Sequence, residues 1–288
     1  MCPFYPKGGF MLEIESTNEH YKTVRQQLDD VYGIERVLVL SDLHIPFHLD
    51  EDIINIIDEH KDQISTIVFA GDILDCFGVS SFPKDYRLPL TTELSIASKF
   101  LRKIDKRTPN VKKVLFFGNH EYRFTRYLAK QDYDISTFFD TNILQLLKTG
   151  FTYRSFDNKK KSVPGLSDNF TVLDSWYYQH HDVIFAHPSN FSSVPMKTAH
   201  NTYKYFSNNG FDFSAICIGH THKLGSFFIW NKMVSELGCL CRTMDYTNHG
   251  NINYIHQTNG YGLYVFKDKQ VLLDQSGPKL LTPGDGNV

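Results

Sequence analysis

The sequence has few cysteines, little net charge and no long apolar run, and each scarcity argues against a class of protein. Five cysteines are scattered along 288 residues, an odd number that suits reduced thiols in a cytoplasmic compartment better than a disulfide framework. No apolar run approaches the ~20 residues of a membrane span, so no membrane partner is expected. The net charge of −2 gives no general attraction to nucleic acid. The first residues lack a basic segment followed by an apolar one, and we expect no secretory signal.

What the sequence does contain is an alternation of buried strands and amphipathic helices. With 41% hydrophobic and 22% charged residues, the composition is that of a globular domain. Continuous apolar runs predict strands at 36–40, 65–70 and 113–117, and helical spacing predicts helices at 51–60 and near 91–105. Strand–helix–strand–helix–strand is typical of an α/β fold with a parallel sheet and right-handed crossovers.

The second half is less regular in its first part and richer in strands afterwards. Apolar spacing predicts helices over 123–130, 140–148 and near 196–206, and the residues of 157–169 indicate an exposed loop. Further strands are predicted at 171–174, 176–179, 182–186, 213–218, 224–230, 233–237 and 261–266. The tight turn "WNK" predicts that two of the last strands form an antiparallel hairpin.

Five of the predicted strands end directly in side chains that bind metals. These are Asp42 and His44, Asp72, Asn119 and His120, His187, and His220 and His222. In α/β sheets, sites form outside the carboxyl ends of the strands, so residues far apart in sequence converge there. Two carboxylates, an amide oxygen and several imidazoles without a thiolate suit Mn²⁺, Fe or Zn²⁺. There are enough ligands for two ions with one carboxylate bridging them.

Each of these short motifs alone has a simpler explanation. An Asp-x-His sequence is roughly nine times in ten a turn or a cap, and a single histidine more often has a structural role than a ligand role. The recurrence of such residues at corresponding strand ends favours a site. Cys239 and Cys241 alternate along a predicted strand, where packing is preferred over a two-cysteine metal site. His180 and His181 are expected to face solvent and are not predicted as ligands.

The motifs SDLH, GDILD, GNHE, the single His187 and GHTH, in that order over about residues 36–222, resemble the calcineurin-like metallophosphoesterase superfamily. The resemblance implies a four-layer α/β/β/α sandwich with a dinuclear metal centre. By this resemblance one ion is held by Asp42, His44, Asp72 and His222. The other is held by Asp72, Asn119, His187 and His220. His120 then faces the substrate, and the catalytic residues are His120, Asp72 and Asn119.

The activity implied is that of a phosphoesterase dependent on two divalent ions, with Mn²⁺ preferred and Fe or Zn²⁺ as alternatives. It would hydrolyse phosphodiester or phosphomonoester bonds of nucleotide-like substrates through a metal-activated hydroxide. A nuclease is the first alternative, with the aromatic and basic residues of 122–127 holding a strand. A catalytically silent metal-binding protein is the second. The partner is thus a phosphate ester, either a nucleotide or a nucleic acid, and the sequence defines no oligomeric state.

The sequence departs from the protein-phosphatase members of the superfamily in two respects. Those members carry an arginine after the aspartate that corresponds to Asp75, whereas this chain has Cys76. They also lack a paired histidine motif like GHTH. A phosphoprotein substrate is therefore disfavoured. Asp75 itself is equally consistent with orienting a ligand histidine and with stabilising a turn.

The domain organisation expected from these patterns has three parts. Residues 1–35 form an N-terminal arm with one short helix, and residues 36–275 form the metallophosphoesterase domain. That domain contains a less regular inserted region at about 122–170. Residues 276–288 form a tail whose last residues fray.

Overall fold

The computed structural model describes residues 32–81, 86–131, 142–243 and 257–282. The helix predicted in the N-terminal arm lies outside these residues. The helices are α1 Asp50–His60, α2 Leu90–Arg107, α3 Tyr122–Gln131, α4 Ile143–Thr149 and α5 Lys197–Asn208. The strands of the first half are β1 Ile34–Leu40, β2 Thr66–Ala70, β3 Lys112–Phe116, β4 Gly150–Arg154, β5 Lys160–Pro164 and β6 Phe170–Val172. Those of the second half are β7 Tyr177–His180, β8 Val183–Ala186, β9 Ala215–Ile218, β10 Leu224–Ile229, β11 Lys232–Leu237, β12 Gly260–Lys267, β13 Gln270–Val271 and β14 Gly277–Leu280.

The first sheet is built around the three strands that the sequence predicts most clearly. Its order is β13-β12-β1-β2-β3-β6, with β14 also paired to β12. Strands β1, β2, β3 and β6 run parallel, and β12 runs antiparallel to β1. Residues 37–40, 67–70 and 114–116 of β1, β2 and β3 are all apolar and buried because both faces of the sheet are covered there.

The second sheet has the order β10-β11-β9-β8-β7. Its central strands β8, β9 and β11 are parallel, while β7 and β10 run antiparallel at the two edges. The hairpin predicted at "WNK" is confirmed by the pairing of β10 with β11. Strand β12 does not continue this hairpin and instead pairs with β1 in the first sheet. Both sheets therefore contain parallel strands whose carboxyl ends carry the predicted ligands.

Three apolar clusters form the core between the sheets and the helices. Alternate residues of β1 show the division, since Leu38 and Leu40 pack with α1 and α2, whereas Val37 and Val39 pack with Phe185 of the second sheet. A third cluster joins the far face of the second sheet to α5. The predicted α/β class is therefore confirmed, and the four-layer order of the sandwich stays a prediction.

Residues 157–169 are only partly the loop that the sequence predicts. Strand β5 lies within them and pairs antiparallel with β4 in a separate two-stranded sheet beside α2. The prediction was wrong here because β5 reads Lys-Lys-Ser-Val-Pro and buries only Val163. An edge strand with one apolar contact lacks the alternation on which strand prediction depends.

The helices of the described residues are all too short or too polar to cross a bilayer. The predicted boundaries of the arm, the domain and the tail stay predictions.

Candidate metal centre

The predicted ligands lie in the loops that follow five parallel strands. β1 leads into Asp42 and His44, β2 into Asp72, and β3 into Asn119. On the second sheet, β8 leads into His187, and β9 leads into His220 and His222. Because all these strands point the same way within their sheets, their carboxyl ends meet at one edge of the sandwich. We call this set of seven residues the strand-end centre.

The backbone at the strand-end centre adopts a conformation that L-residues usually avoid. Five of the seven residues have positive φ, namely Asp42 (54°), His44 (47°), Asp72 (49°), His220 (76°) and His222 (55°). A left-handed conformation at a non-glycine residue costs of the order of 1 kcal/mol and persists only where the surroundings impose it. Its recurrence here shows that the loops are shaped to turn these side chains inward.

Two glycines permit the loops to approach one another closely. A Cβ atom at Gly118 would collide with the carboxylate and backbone nitrogen of Asp72. A Cβ atom at Gly219 would collide with the Ser41 hydroxyl and would lie 2.7 Å from Asp42 Oδ2. The glycines of GNHE and GHTH are thus required because a neighbouring carboxylate occupies the space of their side chains.

One half of the centre brings together Asp42, His44 and His222. The Nε2 atom of His222 lies 3.2 Å from Asp42 Oδ1 and 3.0 Å from His44 Nε2. His44 Nε2 in turn lies 3.9 Å from Asp42 Oδ1 and 3.8 Å from Asp72 Oδ2. The ligand atoms of Asp42, His44 and Asp72 lie close enough to bind a single ion, and His222 Nε2 lies beside two of these residues.

The other half is formed by Asp72, His187 and His220. His187 Nε2 lies 3.2 Å from Asp72 Oδ2, and the rings of His187 and His220 are 5.4 Å apart. The ligand atoms of these three residues also lie close enough to bind one ion. Asp72 contacts both halves, since its Oδ2 atom lies 3.8 Å from His44 Nε2 and 3.2 Å from His187 Nε2.

Two buried atoms of the centre lack the partners that buried polar atoms normally have. Within the described residues, Asn119 Oδ1 and His220 Nε2 have no hydrogen-bond partner, and His187 Nε2 has only the Asp72 carboxylate, 3.2 Å away. An unsatisfied buried polar atom costs about 1–3 kcal/mol. These two atoms beside two buried carboxylates form a set of lone pairs that a cation would satisfy. The residues present therefore fit a divalent metal centre with mixed oxygen and nitrogen ligands.

The charges of the centre depend on one another. Burial opposes ionisation of Asp42, but His187 and His222 outweigh it and lower the pKa of Asp42 to about 2. Asp72 is buried in the same way, and His120 and His187 hold its pKa well below the usual range. Both carboxylates are therefore ionised at neutral pH and available to a cation.

The histidines divide into two kinds. Burial disfavours the charged form of His187, yet Asp72 and Asp42 raise its pKa to about 10. Burial also disfavours the charged form of His222, and Asp42 raises its pKa to about 9. Burial and the charge of His187 lower the pKa of His220 to about 4.

His120, the predicted catalytic residue, is held by Asp75 and Arg123. Its Nδ1 atom lies 2.9 Å from the Asp75 carbonyl oxygen and 3.2 Å from Asp75 Oδ1. Arg123 donates from its NH2 group to His120 Nε2 at 2.7 Å and from NH1 to the Asp75 carbonyl at 3.0 Å. Since a guanidinium can only donate, His120 Nε2 is an acceptor and its proton is on Nδ1. Asp75 also lies 3.1 Å from His44 Nδ1, so it contacts two histidines of the site.

Glu121 stabilises two loops of the strand-end centre through hydrogen bonds to their backbone. Its buried carboxylate accepts hydrogen bonds from the backbone nitrogens of Asp72 (3.1 Å), Leu74 (2.9 Å) and Gly118 (2.8 Å). It therefore ties the loop after β2 to the loop after β3. Burial and the nearby charge of Asp72 raise the pKa of Glu121 to about 7.

Two residues near the centre were not among the predicted site residues. Cys241 is buried, and its sulfur lies near His44 and His222, within the distances of a shared metal site. The sequence favours packing for Cys241 over a two-cysteine site with Cys239, and only the crossing of the segment after β11 over the loop after β1 brings it to these histidines. The sequence does indicate the contact between Arg123 and His120. Arg123 follows His120 by three residues at the start of a helix, a spacing that places side chains together.

His180 and His181 do not simply face solvent. Each donates from Nε2 to Glu35, at 2.9 Å and 2.8 Å respectively. The contact was missed because Glu35 lies at the start of β1, far from both histidines in sequence.

Comparison with known proteins agrees with the fold and motifs. The calcineurin-like phosphoesterase family matches residues 35–224, more than half of the chain, and the chain belongs to this family. No curated protein matches the chain significantly.

Among solved structures, the chain resembles a metallophosphoesterase from Sphaerobacter thermophilus, with 12% identity, a TM-score of 0.40 and coverage of 87% of this chain and 89% of that chain. It also resembles vacuolar protein sorting 29 from Cryptosporidium parvum, with 14% identity, a TM-score of 0.39 and coverage of 85% and 97%. Vps29 complexed with zinc from Entamoeba histolytica gives 12% identity, a TM-score of 0.39 and coverage of 86% and 99%.

Proposed function

We propose that the chain is a phosphoesterase dependent on two divalent metal ions. The observation that carries the proposal is the strand-end centre itself, in which two ionised carboxylates meet unsatisfied amide and imidazole atoms. Such a set is costly to bury unless a cation uses it. Membership of a phosphoesterase family makes a phosphate ester the expected substrate.

The two halves of the centre supply the proposed ligand sets. Asp42, His44, Asp72 and His222 would hold one ion, and Asp72, Asn119, His187 and His220 the other. Mn²⁺ is the first candidate, with Fe and Zn²⁺ as alternatives. Bound there, the ions would lower the pKa of a water molecule towards neutrality and offset the charge of the phosphate oxygens.

His120 is the proposed proton donor to the leaving oxygen, and Arg123 controls its protonation. With Arg123 donating to Nε2, the imidazole cannot donate from that atom. A phosphate ester offers the guanidinium stronger, charged acceptors. We expect Arg123 to bind the phosphate, which frees Nε2 to take a proton from solvent and then give it to the leaving oxygen.

Arg123 could replace the arginine that protein phosphatases carry after the position of Asp75 and that this chain lacks. Cys76 occupies that position and is fully buried, so it contacts no substrate. The Arg123 guanidinium reaches the Asp75 backbone from α3 instead. In this proposal α3 supplies the phosphate-binding group that the sequence after Asp75 does not.

The proposed substrates are phosphodiesters or phosphomonoesters of nucleotide-like molecules. A nuclease is the second candidate, because α3 begins beside His120. This helix carries two arginines, Arg123 and Arg126, and two exposed tyrosines, Tyr122 and Tyr127. Four buried free cysteines support a reducing, cytoplasmic location as part of the proposal.

The test is a hydrolysis panel with purified, Mn²⁺-supplemented protein. It should cover bis-p-nitrophenyl phosphate, p-nitrophenyl phosphate, cyclic nucleotides, and single- and double-stranded DNA and RNA. We expect turnover of at least one small ester that chelation abolishes and Mn²⁺ restores. Cleavage confined to DNA or RNA would favour the nuclease. A chain that binds two metal ions per molecule but hydrolyses no member of the panel would instead support a catalytically silent protein.

A further inference from the structure

A pocket of about 320 Å³ lies between α2 and the β4–β5 hairpin, away from the strand-end centre. Ser95, Ser98, Lys99 and Arg102 border it on the helix side, at the spacing that places helical residues on one face. Tyr153 and Lys161 border it from the hairpin, where they are directly paired across the two strands and therefore share a face. We call it the α2–hairpin pocket.

The lining of this pocket has one sign of charge. Lys99, Arg102 and Lys161 contribute three cations, and no carboxylate lines the pocket in the described parts of the chain. None of the three forms an ion pair with another described residue, although their side chains lie around one cavity. Like charges held together without a counterion repel each other, so an anion entering the pocket would be stabilised.

Other cations of the same helix behave differently. Lys103 forms an ion pair with Asp50, and Arg107 lies 3.4 Å from Asp58, both on α1. The acids of α1 thus neutralise the side of α2 that faces them, whereas the side that faces the hairpin is left positive. This asymmetry distinguishes the pocket from a generally basic helix surface.

The donors around the pocket match phosphate better than a smaller anion. Arg102 offers a planar set of N–H groups, the two lysines add charge, and the hydroxyls of Ser162 and Tyr153 have no partner among the residues described. The volume lies within the range of small-molecule sites and exceeds what a single phosphate group needs. The Tyr153 ring adds an aromatic surface of the kind on which bases stack.

We propose that the α2–hairpin pocket is a second binding site for a phosphate-bearing ligand with an attached base, either a free nucleotide or one segment of a nucleic-acid strand. The site uses none of the residues of the strand-end centre. Binding at this site can therefore be confirmed or refuted independently of the proposed catalytic activity.

The test measures binding by the full-length, metal-loaded chain. The probes are a fluorescent single strand with phosphorothioate linkages, which resists hydrolysis, adenosine 5′-monophosphate with phosphate release monitored, and inorganic phosphate. The test variant K99Q/R102Q/K161Q is compared with the control K61Q/K103Q/R107Q, which removes the same charge from cations that pair with the acids of α1. Melting temperatures of both variants show whether each is folded, and hydrolysis of a small chromogenic ester shows whether the metal centre is intact.

We expect the test variant to weaken binding of the strand or the nucleotide at least tenfold and the control to change it less than twofold. Three phosphate contacts predict a slope of about −2 for log K against log salt with a single strand. Loss confined to the strand, or confined to the nucleotide, identifies the source of the phosphate. Equal weakening in both variants would assign binding to general charge, and an unchanged affinity in the test variant would remove the pocket from binding. Either result overturns the proposal.

Discussion

Two groups of histidines and carboxylates lie at opposite ends of the strands, and they differ in how their hydrogen bonds are satisfied. The strand-end centre follows the carboxyl ends. The second group, Glu35 with His180 and His181, lies at the start of β1 and the turn before β8, and we call it the Glu35 cluster. Both groups contain ligand atoms close enough to bind an ion.

In the Glu35 cluster, donors and acceptors match. Each imidazole donates to a different carboxylate oxygen, Ser65 donates to Glu35 Oε1 at 3.1 Å, and the Tyr178 hydroxyl lies 2.9 Å from His180 Nδ1. In the strand-end centre, by contrast, His44 Nε2 faces His222 Nε2 at 3.0 Å, and buried acceptors are left over. Proximity of histidine and carboxylate therefore does not separate the two groups, whereas the match between donors and acceptors does.

The largest effect should come from removing the carboxylate that both halves of the centre share. Asp72→Asn should reduce bound metal from two ions per chain to one or none and lower kcat/KM by more than 10⁴-fold, because the amide carries no charge to offset the cations. Elemental analysis and steady-state kinetics check this. Asp58→Asn, at an exposed ion pair, is the matched control and should retain both ions. Two ions retained in Asp72→Asn would refute the bridging role.

A smaller loss should follow from removing the proton donor while the ligands stay. His120→Ala should keep both metal ions and lower kcat by roughly 10²–10⁴-fold, the usual contribution of general acid–base catalysis. The deficit should shrink for esters with acidic leaving groups such as p-nitrophenol, which leave without a proton. Normal turnover of an ester with a poor leaving group would remove His120 from the mechanism.

Arg123 should affect substrate binding more than the metal ions. Arg123→Lys keeps the charge but loses the paired N–H groups that contact His120 and Asp75. We expect kcat/KM for phosphomonoesters to fall about 10–100-fold in Arg123→Lys and further in Arg123→Ala, with most of the change in KM. Weaker inhibition by inorganic phosphate is a second readout. A variant with unchanged KM and phosphate inhibition would show that Arg123 only orients His120.

The smallest effect should come from the Glu35 cluster, and it should appear in stability alone. Glu35→Gln should lower the free energy of unfolding by about 1–2 kcal/mol at pH 7 without changing metal content or turnover. Burial opposes ionisation of Glu35, but hydrogen bonds and charge from His180 lower its pKa from 4.5 to about 2. The contribution of the charged form is therefore complete above pH 4.5 and is lost as the pH falls towards 2.

Urea unfolding of wild type and Glu35→Gln across this range measures the difference directly. The gap between the two proteins should be constant above about pH 5 and should narrow below pH 4.5. A loss of bound metal in Glu35→Gln at neutral pH would erase the contrast between the two groups and make the Glu35 cluster a metal site.

The strand ends could be predicted from the sequence because buried parallel strands are continuous apolar runs with abrupt ends. Asp42, Asp72 and His187 each follow such a run within two residues, so their positions in the fold needed no long-range information. The contacts of Cys241 and Glu35 could not be predicted in this way, since they depend on which strands become neighbours. Likewise, the α2–hairpin pocket joins two basic segments that each resemble an ordinary solvated surface in the sequence.

The strand-end centre draws its ligands from both sheets, and this has a consequence for how the protein is assembled. Asp42, Asp72 and Asn119 belong to the first sheet, whereas His187, His220 and His222 belong to the second. In the proposed metal-bound form, a cation shared between them would hold the two sheets together, so its binding energy would add to the packing of one sheet on the other. During synthesis this cation site could not be complete until His222 has left the ribosome. Cation supply would therefore influence the yield of folded protein as well as its turnover.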